Sequence, residues 1–137
     1  MFKLIIIFLL IASSALCYDK YIKKYSAIYK VNPNVVKQII MVESSGRGDA
    51  IGRHGEIGLM QIKYSTARHI GYRGTRQELF SPSVNIKYGV LYFRRCLNAG
   101  GGLYNKALYL YNHGLYKRPI PKNCYRNKYV RKFIEGV

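Results

Sequence analysis

Twelve residues, Asn32-Pro33-Asn34-Val35-Val36-Lys37-Gln38-Ile39-Ile40-Met41-Val42-Glu43, constrain this chain more than any other stretch. They encode a helix and place an ionisable group on its apolar side. Asparagine is a favoured N-cap, and proline suits the first turn, where no amide hydrogen is needed. Val36, Ile39, Ile40 and Glu43 are spaced three, four and seven apart, so one stripe carries all four side chains. An apolar stripe must pack against other elements. A carboxyl group taken there loses water and holds its proton more tightly, which brings its pKa towards the range useful for proton donation. The same spacing also suits a glutamate that curls out to solvent at the helix end, the commoner fate of this residue type.

The rest of the chain is punctuated in the same manner. Asp19 to Lys30 carries Tyr21, Ile22, Tyr25, Ile28 and Tyr29 at helical spacing, with Lys20, Lys23, Lys24 and Lys30 on the other face. From Gly46 to Gly58 the composition turns to glycine and polar residues, a loop long enough to suspect function. Tyr64 to Ile70 reads as a short helix closed by Gly71. Ser81-Pro82 opens a helix running to about Asn98, where Gly100-Gly101-Gly102 stops it. Leu103 to Tyr111 is a further helix ended by Asn112-His113-Gly114, and a basic loop with Pro119 and Pro121 leads to a last helix near Tyr125 to Ile134. Alternation never persists long enough for a strand of more than a few residues, and neither repeat nor linker is visible. The expected architecture is one small, mainly α domain with little or no β-sheet.

The N-terminus predicts export. Met1-Phe2-Lys3 precedes the apolar run Leu4 to Ala12, which is too short to span a bilayer comfortably and ends in the small residues Ser13-Ser14-Ala15. Cleavage near Cys17–Tyr18 makes residues 1–17 a signal peptide and leaves 18–137, enough for one core. Lipidation of Cys17 is the minor alternative, since Leu16 is larger than that processing prefers. Cys96 and Cys124 then remain, and an oxidising compartment leads us to expect a disulfide between them, with two free buried thiols as the other reading. His54, His69 and His113 are scattered, so neither metal nor cofactor is expected.

Lys and Arg number 23 against six acids, a formal charge of +17 distributed along the chain. Diffuse positive charge suits a polyanionic partner. For an exported protein that points to anionic cell-wall polymers or lipid head groups and away from nucleic acid, because the aromatic residues are committed to helices rather than to a stacking platform. Charge alone specifies no site, and a merely soluble basic surface is compatible with it.

Taken together, Glu43-Ser44, the glycine-containing loop, Gly58-Leu59-Met60-Gln61, Asn85-Ile86 with Gly89, Ala107-Leu108 with Tyr111-Asn112 and Gly114, and Tyr129-Val130 resemble the successive motifs of the lytic transglycosylase family. Order and spacing match from about Tyr25 to Val130. The resemblance implies a compact lysozyme-like helical fold with a catalytic cleft, and peptidoglycan glycan strands as substrate. It implies cleavage of the β-1,4 bond between N-acetylmuramic acid and N-acetylglucosamine by one carboxyl group, Glu43, acting as acid and then as base, with a 1,6-anhydro product. Ser44, Gly58, Met60, Gln61, Tyr111, Asn112 and Tyr129 take the substrate-binding positions by the same resemblance. Gln61 serves equally well as a capping amide, Met60 as core filler and Tyr111 as a core aromatic. Tyr111 is the residue expected to hold Glu43 or the acetamido group in place, while Asn85 and Gly89 are assigned to packing, the glycine by letting two helices approach.

The chain departs from the family pattern at Arg47-Gly48, where Asn-Pro is common, and at Gly52, where a serine is frequent. Conventional glycosidases use two carboxylates flanking the bond. Of the acids here, Asp19, Glu43, Asp49, Glu56, Glu78 and Glu135, none makes an obvious partner for Glu43, although Asp49 or Glu56 could fold over the bond from the loop. Two rival readings remain. One is a goose-type-lysozyme-like muramidase using water, and the other a cationic wall- or membrane-binding protein without turnover. Wall opening for a secretion or conjugation apparatus, for a phage or for wall turnover is the expected setting, in the periplasm, cell envelope or outside the cell.

Overall fold

The computed structural model describes residues 17–116 and 119–135. The apolar leader therefore lies outside the described residues apart from Cys17, which begins the first helix, α1, over 17–29. Helix α2 spans Pro33–Ser44, and the short strands β1 (Glu56–Ile57) and β2 (Ile62–Lys63) follow. Next come α3 (Tyr64–His69), α4 (Pro82–Ala99), α5 (Tyr104–His113) and α6 (Lys128–Ile134), with single 3₁₀ turns at Glu78–Phe80 and Cys124–Arg126. Mainly helical architecture with one minimal sheet is thus the fold, as the residue pattern predicts.

Each boundary has a local cause. Asn32 Oδ1 accepts the Asn34 amide at 2.9 Å, Pro33 occupies the first turn of α2, and Ser45 ends that helix in the left-handed conformation at φ +54°. The apolar stripe of α2 lies inside: Val36, Ile39 and Ile40 are buried, whereas Met41 on the opposite face is exposed. Helix α4 forms the densest contact with α5. It supplies Ile86, Val90, Phe93 and Leu97 to the same core, which α1 closes with Ile22 and Tyr25.

The loop between α2 and α4 is more ordered than its glycine content suggests. Glu56 pairs with Lys63 and Ile57 with Ile62 in antiparallel register, and Ile51 adds a bridge to Ile57. Gly58 at φ +71° and Gln61 at φ +48° make the connecting turn. Asn85, completely buried on α4, anchors it. Its Nδ2 donates to the carbonyls of Ile57 (2.8 Å) and Leu79 (3.0 Å), and its Oδ1 accepts the Met60 amide at 2.9 Å. A buried amide with all these partners satisfied fixes the turn against the helix.

Two expectations need correction here. The Cys96–Cys124 disulfide is absent: both thiols are free and both are buried. An oxidising compartment joins two thiols only where the fold brings their sulfurs into bonding geometry. Each thiol instead fills core space, and burial pushes that of Cys96 up to about 12. At Gly89 the close neighbour is not a second helix but Met60, since a Cβ built on Gly89 would lie 2.7 Å from the Met60 Cβ.

Candidate active site

Glu43 sits in the last turn of α2, partly buried, and lines a cleft of about 580 Å³. Its pKa is raised. Loss of water is the main cause, the negative charge of Glu56 adds to it, and a hydrogen bond from Tyr129 and the charge of Lys132 oppose it. The carbonyl end of α2 also disfavours a carboxylate. Tyr129 Oη donates to Glu43 Oε1 at 2.6 Å, a contact between residues 86 positions apart. Helix α6 sets this geometry, because Asn127 caps it by accepting the Tyr129 amide at 2.9 Å. Burial and the adjacent Glu43 push the Tyr129 hydroxyl well above its usual range, so it stays protonated and remains a donor.

Glu56, Gln61, Lys63, Tyr111 and Asn112 share the cleft with Glu43. Gln61 donates both amide hydrogens internally, to the carbonyls of Gly58 (2.9 Å) and Ala50 (3.1 Å), which leaves its Oε1 as the atom available to substrate. Asn112 is exposed at the end of α5. Tyr111 is buried, and its hydroxyl donates to the Met60 carbonyl at 2.7 Å. It therefore braces the Met60 turn, while the contact to Glu43 expected of it belongs to Tyr129.

Ser44, Gly58 and Met60 are supports. Ser44 Oγ is buried, donates to the Leu59 carbonyl at 2.8 Å and lies 3.0 Å from the Ile40 carbonyl, tying α2 to the turn. Gly58 abuts the Asn85 amide, which a Cβ would approach to 2.6 Å. Met60 is completely buried, with both main-chain polar groups bonded as described. Of the two loop carboxylates that the sequence left open as partners of Glu43, Glu56 lines the cleft and Asp49 does not. Glu56 stands on β1, its Oε2 accepts the His54 amide at 3.0 Å, and its Oε1 lies 3.8 Å from the Lys63 ammonium. In the register that pairs Ile57 with Ile62, Glu56 stands opposite Lys63 and faces the same side. Among the described residues no three His, Cys, Asp or Glu side chains converge as a metal site.

Residues 20–129 match the family model described as the transglycosylase SLT domain. The chain belongs to this family. Among curated relatives, the endo-type membrane-bound lytic murein transglycosylase A of Salmonella typhimurium is 39% identical over 77 residues. That match takes in 51% of this chain and 38% of the relative, so the chain spans well under half the length of the curated protein. Among solved structures, an inactive mutant of the lytic transglycosylase Slt from Pseudomonas aeruginosa aligns with a TM-score of 0.68 at 21% identity, covering 77% of this chain and 19% of that one. The 70 kDa soluble lytic transglycosylase of Escherichia coli aligns with a TM-score of 0.67 at 24% identity, covering 71% and 17%. The SLT fold is thereby shown, with Glu43 and Tyr129 both inside the aligned family domain or at its edge.

Proposed function

We propose that this SLT-domain chain is an exported peptidoglycan lytic transglycosylase. The observation that carries the reading is the partly buried Glu43, with its pKa raised, held by the protonated Tyr129 hydroxyl and facing a cleft of about 580 Å³. A raised pKa keeps the proton on Glu43 at the pH where it must be given away. Glu43 delivers that proton to the glycosidic oxygen as the bond from muramic acid C1 to that oxygen breaks. The C6 hydroxyl of the same muramic acid then bonds to C1, and its proton returns to Glu43. No water is consumed, and the ring closes as a 1,6-anhydro sugar. Tyr129 orients the carboxyl group for both transfers, and Gln61 Oε1 and Asn112 contact the glycan.

In this reading residues 18–137 are the catalytic domain, residues 1–17 the leader, and the periplasm or cell envelope the working place. The charge of +17 holds the enzyme on anionic wall polymer, and local wall opening beside a secretion, conjugation or phage apparatus is compatible with so small a domain. Purified sacculi test the reading. The protein should release muropeptides ending in anhydro-muramic acid, one water lighter by mass spectrometry than reducing-end products. Glu43→Gln, isosteric but unable to donate a proton, should lower release at least a thousandfold, about 4 kcal/mol of barrier. Exclusive reducing-end products would make the chain a muramidase, and undiminished lysis by Glu43→Gln would make it a non-enzymatic cationic binder.

A further inference from the structure

Glu56 is the one carboxylate besides Glu43 among the described residues that line the cleft. Its position is built rather than incidental. The antiparallel register sets Lys63 opposite it, with the ammonium 3.8 Å from Oε1, and the His54 amide donates to Oε2 at 3.0 Å. Gly52 leaves the space in which it lies. A Cβ at that position would run into the Glu56 carboxylate and come within 2.6 Å of Gln61 Oε1, so a side chain there would displace the ends of both from the positions they hold.

We propose that Glu56 is a second functional carboxylate of this cleft, a fixed anion that acts on the Glu43 carboxyl and on the positive charge developing at the sugar ring. The inference rests on the transglycosylase reading of Glu43. Two roles are open to a second carboxylate, a base that activates water or an anion that stays charged throughout. A base works best when its pKa lies near the operating pH. Burial of Glu56 works against its ionisation but is outweighed by amide hydrogens from its own backbone and from His54, and by the charges of Lys63 and His54, so its pKa ends below the usual carboxylate range. It is therefore a poor proton acceptor and a durable negative charge. In a partly dehydrated cleft such a charge favours an oxocarbenium-like state and makes ionisation of Glu43 harder. The groups acting on Glu43 are thus Tyr129 and Lys132 from α6, which favour its ionised form, and Glu56 from β1, which disfavours it; the Tyr111 hydroxyl of α5 stays protonated beside them.

Glu56→Gln tests this, because it keeps the shape and the acceptor for the His54 amide while removing the charge. Turnover of sacculi should fall on the order of tenfold, less than the hundredfold or more seen when a group bonded to the reacting atom is lost. The alkaline limb of the kcat/KM profile, which follows loss of the Glu43 proton, should move to lower pH, and the products should remain anhydro-muropeptides. Glu56→Asp, which restores the charge, should recover part of the rate and return the limb towards its original position. An unmoved alkaline limb in Glu56→Gln with an unchanged melting temperature would overturn the proposal, as would a change in the ratio of anhydro to reducing-end products. Failure of the wild-type protein to make anhydro products would instead overturn the transglycosylase reading itself.

Discussion

At the scale of single residues, Glu43 is governed by a balance between dehydration and donation. Dehydration holds the proton on, and the Tyr129 hydroxyl at 2.6 Å favours the ionised form. Replacing Tyr129 by Phe removes only the donor. The pKa of Glu43 should then rise further, so the alkaline limb of kcat/KM moves to higher pH, the opposite direction from Glu56→Gln. The rate at its optimum should fall on the order of tenfold, since the carboxyl loses its fixed orientation. Rate measurements on sacculi across pH check both effects, and a limb that moves down would contradict the assigned role of the hydrogen bond. The position of Glu43 was legible in the sequence because a helix fixes which residues share a face within two turns. Its partner was not, since nothing local tells which of 14 tyrosines a distant helix will bring to it. Ser44 shows the same limit: its neighbour in sequence faces the cleft, whereas a rotation of one residue points Ser44 at the Leu59 carbonyl.

At the scale of elements, the turn between β1 and β2 is the part that positions the site, and it is held on three sides. Asn85 takes the Met60 amide, Tyr111 reaches the Met60 carbonyl, and the Met60 side chain fills the notch left by Gly89. Gly89→Ala should therefore destabilise the protein by about 1–3 kcal/mol, the usual cost of overpacking a filled site, with methionine flexibility keeping it from the upper end. Urea unfolding should show a lower midpoint at an unchanged slope. The helix boundaries could be read from cap residues, prolines and glycines, because these act through the backbone nearby. Packing across the turn could not. A string of Gly-Leu-Met-Gln carries no period, so nothing in it distinguishes a methionine lining a cleft from one buried beneath it, and a two-residue strand is too short to display the alternation that would have placed Glu56.

At the scale of the whole molecule, the excess of 23 basic over six acidic residues must act differently from the site chemistry. Exposed charges interact over distances that salt shortens, about 8 Å at ~0.15 M ionic strength, whereas the Glu43–Tyr129 contact is direct and partly sheltered from solvent. Composition made this charge legible, and composition also misled over the cysteines, because it reports the compartment and not the distance between two side chains. The separation of long-range from short-range electrostatics has a measurable consequence. Raising sodium chloride from about 0.05 M to about 0.5 M should weaken adsorption of the inactive Glu43→Gln protein to sacculi by on the order of tenfold or more, as attraction between a cationic surface and a wall polyanion is screened. Over the same range, cleavage by the wild-type protein of a short soluble glycan fragment, which carries only a few charges, should change by less than about twofold, because the proton transfers run between groups already in contact. Adsorption that ignores salt would mean that the cleft alone recognises the wall, and that the surplus of lysine and arginine takes no part in holding the enzyme there.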